Sequence, residues 1–131
     1  MNPLREPLLR SAAVIRGLGF RVFVPEDEER SWGFFSDGRS IGYFQQSEWH
    51  EGVELATVNR VPGSDAMHLL LETEGRSTPP GDLTGEALRK AFRDYPDYYD
   101  EEERAATRVI KYTGVEEFLR KEGQGLVELV N

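Results

Sequence analysis

The residues best suited by type for acid–base chemistry fall in one short stretch, Ser47-Glu48-Trp49-His50-Glu51-Gly52. An imidazole titrates near neutral pH, so His50 can exchange a proton where most side chains cannot. With Glu48 and Glu51 beside it, His50 forms the one candidate catalytic group, next to the aromatic Trp49. The commoner reading of such a stretch is a plain polar loop between strands. Metal binding fits less well. His50 and His68 are the only histidines, and His-Glu-Gly matches no zinc spacing. His68 lies in the apolar run Ala66–Leu71 and reads as a half-buried, hydrogen-bonded strand residue. No cofactor and no metal are expected.

A second stretch suits binding. Asp94-Tyr95-Pro96-Asp97-Tyr98-Tyr99-Asp100-Glu101-Glu102-Glu103 holds six acidic residues, three tyrosines and no base. Its plain reading is a solvated connection. Its functional reading is a docking surface for a basic protein, in which carboxylates steer the partner and tyrosines supply contact area. Asp94, Asp97, Tyr98, Tyr99, Asp100, Glu101, Glu102 and Glu103 are the contact candidates. The spacing lacks the Asp-x-Asp-x-Asp-Gly pattern of a calcium loop.

The elements that position these stretches begin with a hairpin. Ser31–Ser36 and Ser40–Gln46 flank Asp37-Gly38, a strong turn signal. A two-residue turn would set Phe34 opposite Ile41 and Trp32 opposite Tyr43, all on one face. Phe35 and Phe44 then share the other face, near Gly33, Gly42 and Ser40. That face needs either a cover or a partner. Phe35, Phe44 and Trp49 therefore join the partner-binding candidates.

Around the hairpin, Pro7–Arg16 reads as a helix with Leu8, Ala12 and Ile15 on one side. Phe20–Val24, Val53–Arg60 and Ala66–Glu72 read as strands. Thr84 reads as an N-cap, with Leu83 and Leu88 at the spacing of a hydrophobic staple, for a helix ending before Pro96. Thr107–Tyr112 reads as a strand. Thr113 and Glu116 have capping-box spacing for a helix to about Glu122, and Leu126–Val130 as a last strand. Strands grouped first and helices later predict an α+β fold: a largely antiparallel sheet of about five strands, with N-terminal and C-terminal helices on one face. Residues 1–131 are expected to form a single domain.

Ile41-Gly42-Tyr43-Phe44-Gln45, Thr57-Val58-Asn59, Leu83-Thr84, Tyr95-Pro96 and Val109-Ile110-Lys111-Tyr112 together resemble small bacterial α+β proteins, some of them borne on mobile elements. The resemblance spans about residues 20–120 and implies no activity. Neither a Gly-x-Ser-x-Gly nor a Gly-x-Gly-x-x-Gly stands between a strand and a following helix, and there is no Walker A loop. The two-glycine stretch at Gly17-Leu18-Gly19 follows a helix and precedes a strand, the reverse of a dinucleotide site.

Composition narrows the partners. The chain of 131 residues carries a formal charge of −8 and no cysteine. Four arginines and one glutamate give residues 1–25 a charge of +3, which leaves −11 for the remainder. So acidic a chain repels a phosphate backbone, and direct nucleic-acid binding is not expected. No apolar run approaches the roughly 20 residues of a membrane span, and no leader is visible. The expected setting is a reducing cytoplasm. The leading function is an acidic, non-enzymatic protein-interaction or regulatory module acting as monomer or homodimer. The alternatives are a small enzyme or ligand-binding domain at residues 47–52, and a nucleic-acid mimic that blocks a DNA-binding protein.

Overall fold

A computed structural model describes residues 2–47, 52–60, 67–71, 78–93 and 113–130. The first helix, α1 (Arg5–Gly17), starts where Asn2 accepts the Leu4 N–H on its side-chain Oδ1 and the Arg5 N–H on its carbonyl. Pro7 sits in the first turn, where a missing N–H removes no helical bond. The expected stripe of Leu8, Ala12 and Ile15 is fully buried, with Ser11 beside it.

Five strands follow: β1 (Arg21–Pro25), β2 (Trp32–Ser36), β3 (Ile41–Gln46), β4 (Val53–Arg60) and β5 (Met67–Leu71). After a 3-10 turn at Pro80–Asp82 come α2 (Gly85–Arg93), α3 (Val115–Glu122) and β6 (Leu126–Glu128). The six strands form one antiparallel sheet in the order β5-β4-β3-β2-β1-β6. The α+β class and the antiparallel sheet are as expected. The sixth strand is the 126–130 stretch, which returns to pair with β1 through Val24 and Val127. The expected Thr107–Tyr112 strand lies outside the described residues.

The hairpin register differs from the expected one. Phe34 pairs with Tyr43, Trp32 with Gln45 and Ser36 with Ile41, so the turn spans Asp37–Ser40. Side chains hold this wider turn. Ser36 Oγ donates to the Ser40 carbonyl at 2.7 Å and accepts the Gly38 N–H at 2.9 Å. Asp37 Oδ1 accepts the N–H groups of Arg39 and Ser40, and Gly38 takes the φ of +103° that glycine tolerates. The register slides by two residues, so every side chain keeps its predicted face.

Two cores result. On one face Phe35, Phe44, Val22, Val24 and Val53 pack against Leu8, Ala12 and Ile15 of α1 and against Leu83 and Leu88 at α2. On the other, Phe23, Phe34, Ile41 and Tyr43 pack against Val115 and Phe118 of α3. The helices thus divide between both faces rather than sharing one. Adjacent large aromatics, Phe34 and Phe35, point to opposite sides of β2, so each side needs its own cover.

The helix starts follow local chemistry. Thr84 Oγ1 accepts the Ala87 N–H at 3.1 Å, as an N-cap should. The staple pair Leu83 and Leu88 is buried in one cluster. At α3 the box shifts by one residue: Glu117, not Glu116, accepts the Thr113 N–H at 3.1 Å and the Thr113 hydroxyl. Glu116 points instead to Arg21. The hairpin tip completes this helix start, because the Gly38 carbonyl accepts the Val115 N–H at 3.1 Å.

Candidate functional site

Most of the residues singled out from the sequence lie outside the described residues: Glu48, Trp49, His50, Glu51 and the whole run Asp94–Glu103. The base of the 47–52 stretch is described. The Ser47 N–H donates to the Gly52 carbonyl at 3.0 Å, and Val53 exchanges both backbone bonds with Thr78 at 2.9 and 2.8 Å. Gly52, at φ +130°, lies against the Thr78–Pro79 backbone. Beneath this base, the buried Ser11 hydroxyl donates to Gln46 Oε1 at 3.3 Å. His68 is a β5 residue whose backbone pairs with Asn59, as its strand reading required.

Phe35 and Phe44 form no partner surface. Both are fully buried. Their rings lie 6.4 Å apart, and Phe20 meets Phe35 edge-on at 5.8 Å. Helices α1 and α2 supply the cover, so these two residues leave the set of contact candidates.

Nothing in the sequence shows what the four arginines of the basic N-terminal segment contact. Each of the four makes a contact within the fold. Arg5 Nη2 donates to the Pro25 carbonyl at 2.8 Å, with longer reaches to the carbonyls of Asp27 and Arg30. Arg10 pairs with Glu6 one helical turn away. Arg16 donates to the carbonyls of Leu129 and Val130 at 3.1 and 2.8 Å. Arg21 grips both oxygens of Glu128 at 2.9 and 2.7 Å, reaches Glu116 at 2.9 Å and lies over the Phe23 ring. Partners more than a hundred residues away in the chain, such as Arg21 and Glu128, leave no local signal.

The loop that Arg5 holds presents carboxylates. Glu26, Asp27, Glu28 and Glu29 are all exposed. Asn2 Nδ2 donates to the Glu28 carbonyl at 3.3 Å, and Asp27 pairs with Arg30. Four acids in a row is the signal that marks this surface in the sequence.

The electrostatics follow these contacts. Hydrogen bonds from Arg21 hold the Glu128 carboxyl below its usual range. Hydrogen bonds from Thr113, then Lys121, lower Glu117 from 4.5 to about 2. Burial, with the Glu54 charge, pushes the Tyr43 phenol up to about 12. A carboxylate that is more acidic folded than unfolded adds its full stabilisation above its unfolded pKa and loses it as pH falls towards its folded one. The urea midpoint is therefore expected to drop between pH 4.5 and about 2, the interval set by Glu117. The double variant Glu117→Gln/Glu128→Gln should show a flatter drop. An equal slope in both proteins contradicts this assignment.

Among the described residues, no group of three or more His, Cys, Asp or Glu side chains gathers to hold a metal ion. No described helix is long and apolar enough to cross a membrane. No family model, curated protein or solved structure matches the chain.

Proposed function

We propose that this chain is an acidic, non-enzymatic interaction module of the cytoplasm that docks a basic protein through surface carboxylates. The observation that carries this reading is the fate of its positive charge. All four arginines of the +3 segment are engaged within the fold. These contacts hold the arginines against the fold without removing their charge, and Arg21 offsets part of the remaining −11 at Glu116 and Glu128, so the net −8 is what a basic partner meets. The exposed Glu26–Glu29 loop supports the same reading from a described surface. The run Asp94–Glu103, with Tyr98 and Tyr99 among its carboxylates, is the leading contact surface, and Trp49 adds an aromatic candidate. The burial of Phe35 and Phe44 removes these two sheet aromatics from the contact set.

Charge-led docking weakens as salt screens it, over a distance that falls from about 10 Å at 0.1 M to about 3 Å at 1 M. Immobilised protein incubated with native lysate is expected to retain a basic partner at the lower salt and release it at the higher. A partner held equally at both, or no partner at either, contradicts the proposal.

A further inference from the structure

The last strand differs from the other strands whose side chains are all described. In β1, β2 and β3 nearly every residue is buried, whereas in β6 none is, and Val127 is 43% exposed. Three residue pairs join it to β1, and Leu126 and Leu129, both half-buried, pack at the margins of the two cores. Val127 pairs with Val24, the Glu26 N–H donates to the Gly125 carbonyl, and the Leu129 N–H donates to the Val22 carbonyl. Two arginines supply the side-chain grip: Arg21 on Glu128 and Arg16 on the carbonyls of Leu129 and Val130. The Arg21–Glu128 pair is over a third exposed on each side, so water and salt compete with it.

The connection to this strand is an exposed turn. The Leu126 N–H donates to the Gly123 carbonyl at 3.0 Å, and Gly125 sits at φ +81°. By contrast, α3 before it is anchored by the fully buried Phe118. An anchored helix, a glycine turn and an edge strand with no fully buried residue are the parts from which strand exchange is built.

We propose that β6 is exchangeable, so that two copies of this chain form a dimer in which each lays residues 126–130 along β1 of the other. The occupant is a second copy because the β1 edge is keyed to this strand. Arg21 forks onto Glu128 in register with the Val24–Val127 pair, and Arg16 takes the two carbonyls that follow. A partner copy's strand makes every one of these contacts again. Only the 123–126 turn changes, from a bend that needs a left-handed Gly125 to an extended link that does not. This proposal stands independently of charge-led docking.

The charge pair gives the test. Glu128→Arg and Arg21→Glu each lose the fork within one copy. In an exchanged heterodimer both forks are restored with reversed or native polarity. Each variant refolded alone from urea is expected to run as a monomer in size exclusion with light scattering. An equimolar mixture refolded together is expected to yield the heterodimer as the main species. Briefly mixing the folded monomers should not produce it. A co-refolded mixture that matches the separate variants overturns the proposal. So does a heterodimer formed by brief mixing, which marks side-by-side pairing.

Gly125→Val decides the matter if the charge variants do not fold. A Cβ at Gly125 meets nothing within 4 Å, and φ +81° is a conformation that a β-branched residue rarely adopts, so the change bears on the turn conformation. Penalising the left-handed turn is expected to raise the dimer share at fixed concentration by at least about tenfold. A Gly125→Val protein as monomeric as the unaltered chain overturns the proposal.

Discussion

Gly42→Ala is expected to destabilise the protein by about 3 kcal/mol, the upper part of the range for forcing atoms into a filled core. In β3, Gly42 lies directly opposite Phe35 of β2, and a Cβ there would overlap the Phe35 ring at Cζ. The ring has no room to swing, because Phe20 and Phe44 flank it and it is fully buried. The arrangement is reciprocal: Gly33 lies opposite Phe44, and a Cβ there would stand 2.6 Å from Phe44 Cζ. Each glycine thus makes space for the aromatic across the ladder. The explanation also predicts coupling. Phe35→Leu in the Gly42→Ala background should cost less than Phe35→Leu alone, by about 1 kcal/mol, because the two residues touch. Urea denaturation of the four proteins measures this. A Gly42→Ala shift within about 0.5 kcal/mol, the scatter of an ordinary surface change, contradicts it.

Phe118→Ala is expected to cost about 3–5 kcal/mol, with the damage falling first on α3. Phe118 is fully buried, and its ring meets Phe34 at 4.9 Å. Apart from Val115, no other residue of this eight-residue helix is fully buried, so Phe118 is its largest anchor among the described residues. Among its other described ties, Leu119 packs beside the same cluster, the Gly38 carbonyl accepts the Val115 N–H, and the exposed Glu116–Arg21 pair is worth far less than a buried ring. Hydrogen exchange is expected to speed up at residues 115–122 by more than at β2 and β3. Uniform acceleration across the chain would show that α3 does not open separately from the sheet.

The sequence disclosed the elements that rest on local chemistry. The α1 stripe, the Thr84 cap with its Leu83–Leu88 staple and the strand character of residues 67–71 each follow from spacing or turn residues, and each is present. The facing of the hairpin aromatics was legible too, because a two-residue slip preserves alternation. The turn itself was not. Asp37-Gly38 signals a tight hairpin, but the Ser36 and Asp37 side chains stabilise a four-residue turn by bonding to its backbone. The division of helices between faces was hidden because cover is assigned by tertiary packing, although the neighbours Phe34 and Phe35 already demanded two covers. The candidate site was the least legible part. The contacts of Arg5, Arg16 and Arg21 join residues distant in sequence. Phe35 and Phe44 cannot be told from surface aromatics until the helices above them are in place.

In the proposed function, carboxylates of residues 94–103 recognise the partner. The most direct measurement compares two charge-neutralised proteins at about 0.1 M salt, where screening still leaves attraction over about 10 Å. In one, Asp94, Asp97 and Asp100 become Asn, and Glu101, Glu102 and Glu103 become Gln. In the other, Glu26, Glu28 and Glu29 become Gln and Asp27 becomes Asn. With circular dichroism unchanged in both, the first is predicted to lose partner capture by at least about tenfold, in line with the effect of steering charges on association. The second should lose less. Undiminished capture by the first protein would contradict the account.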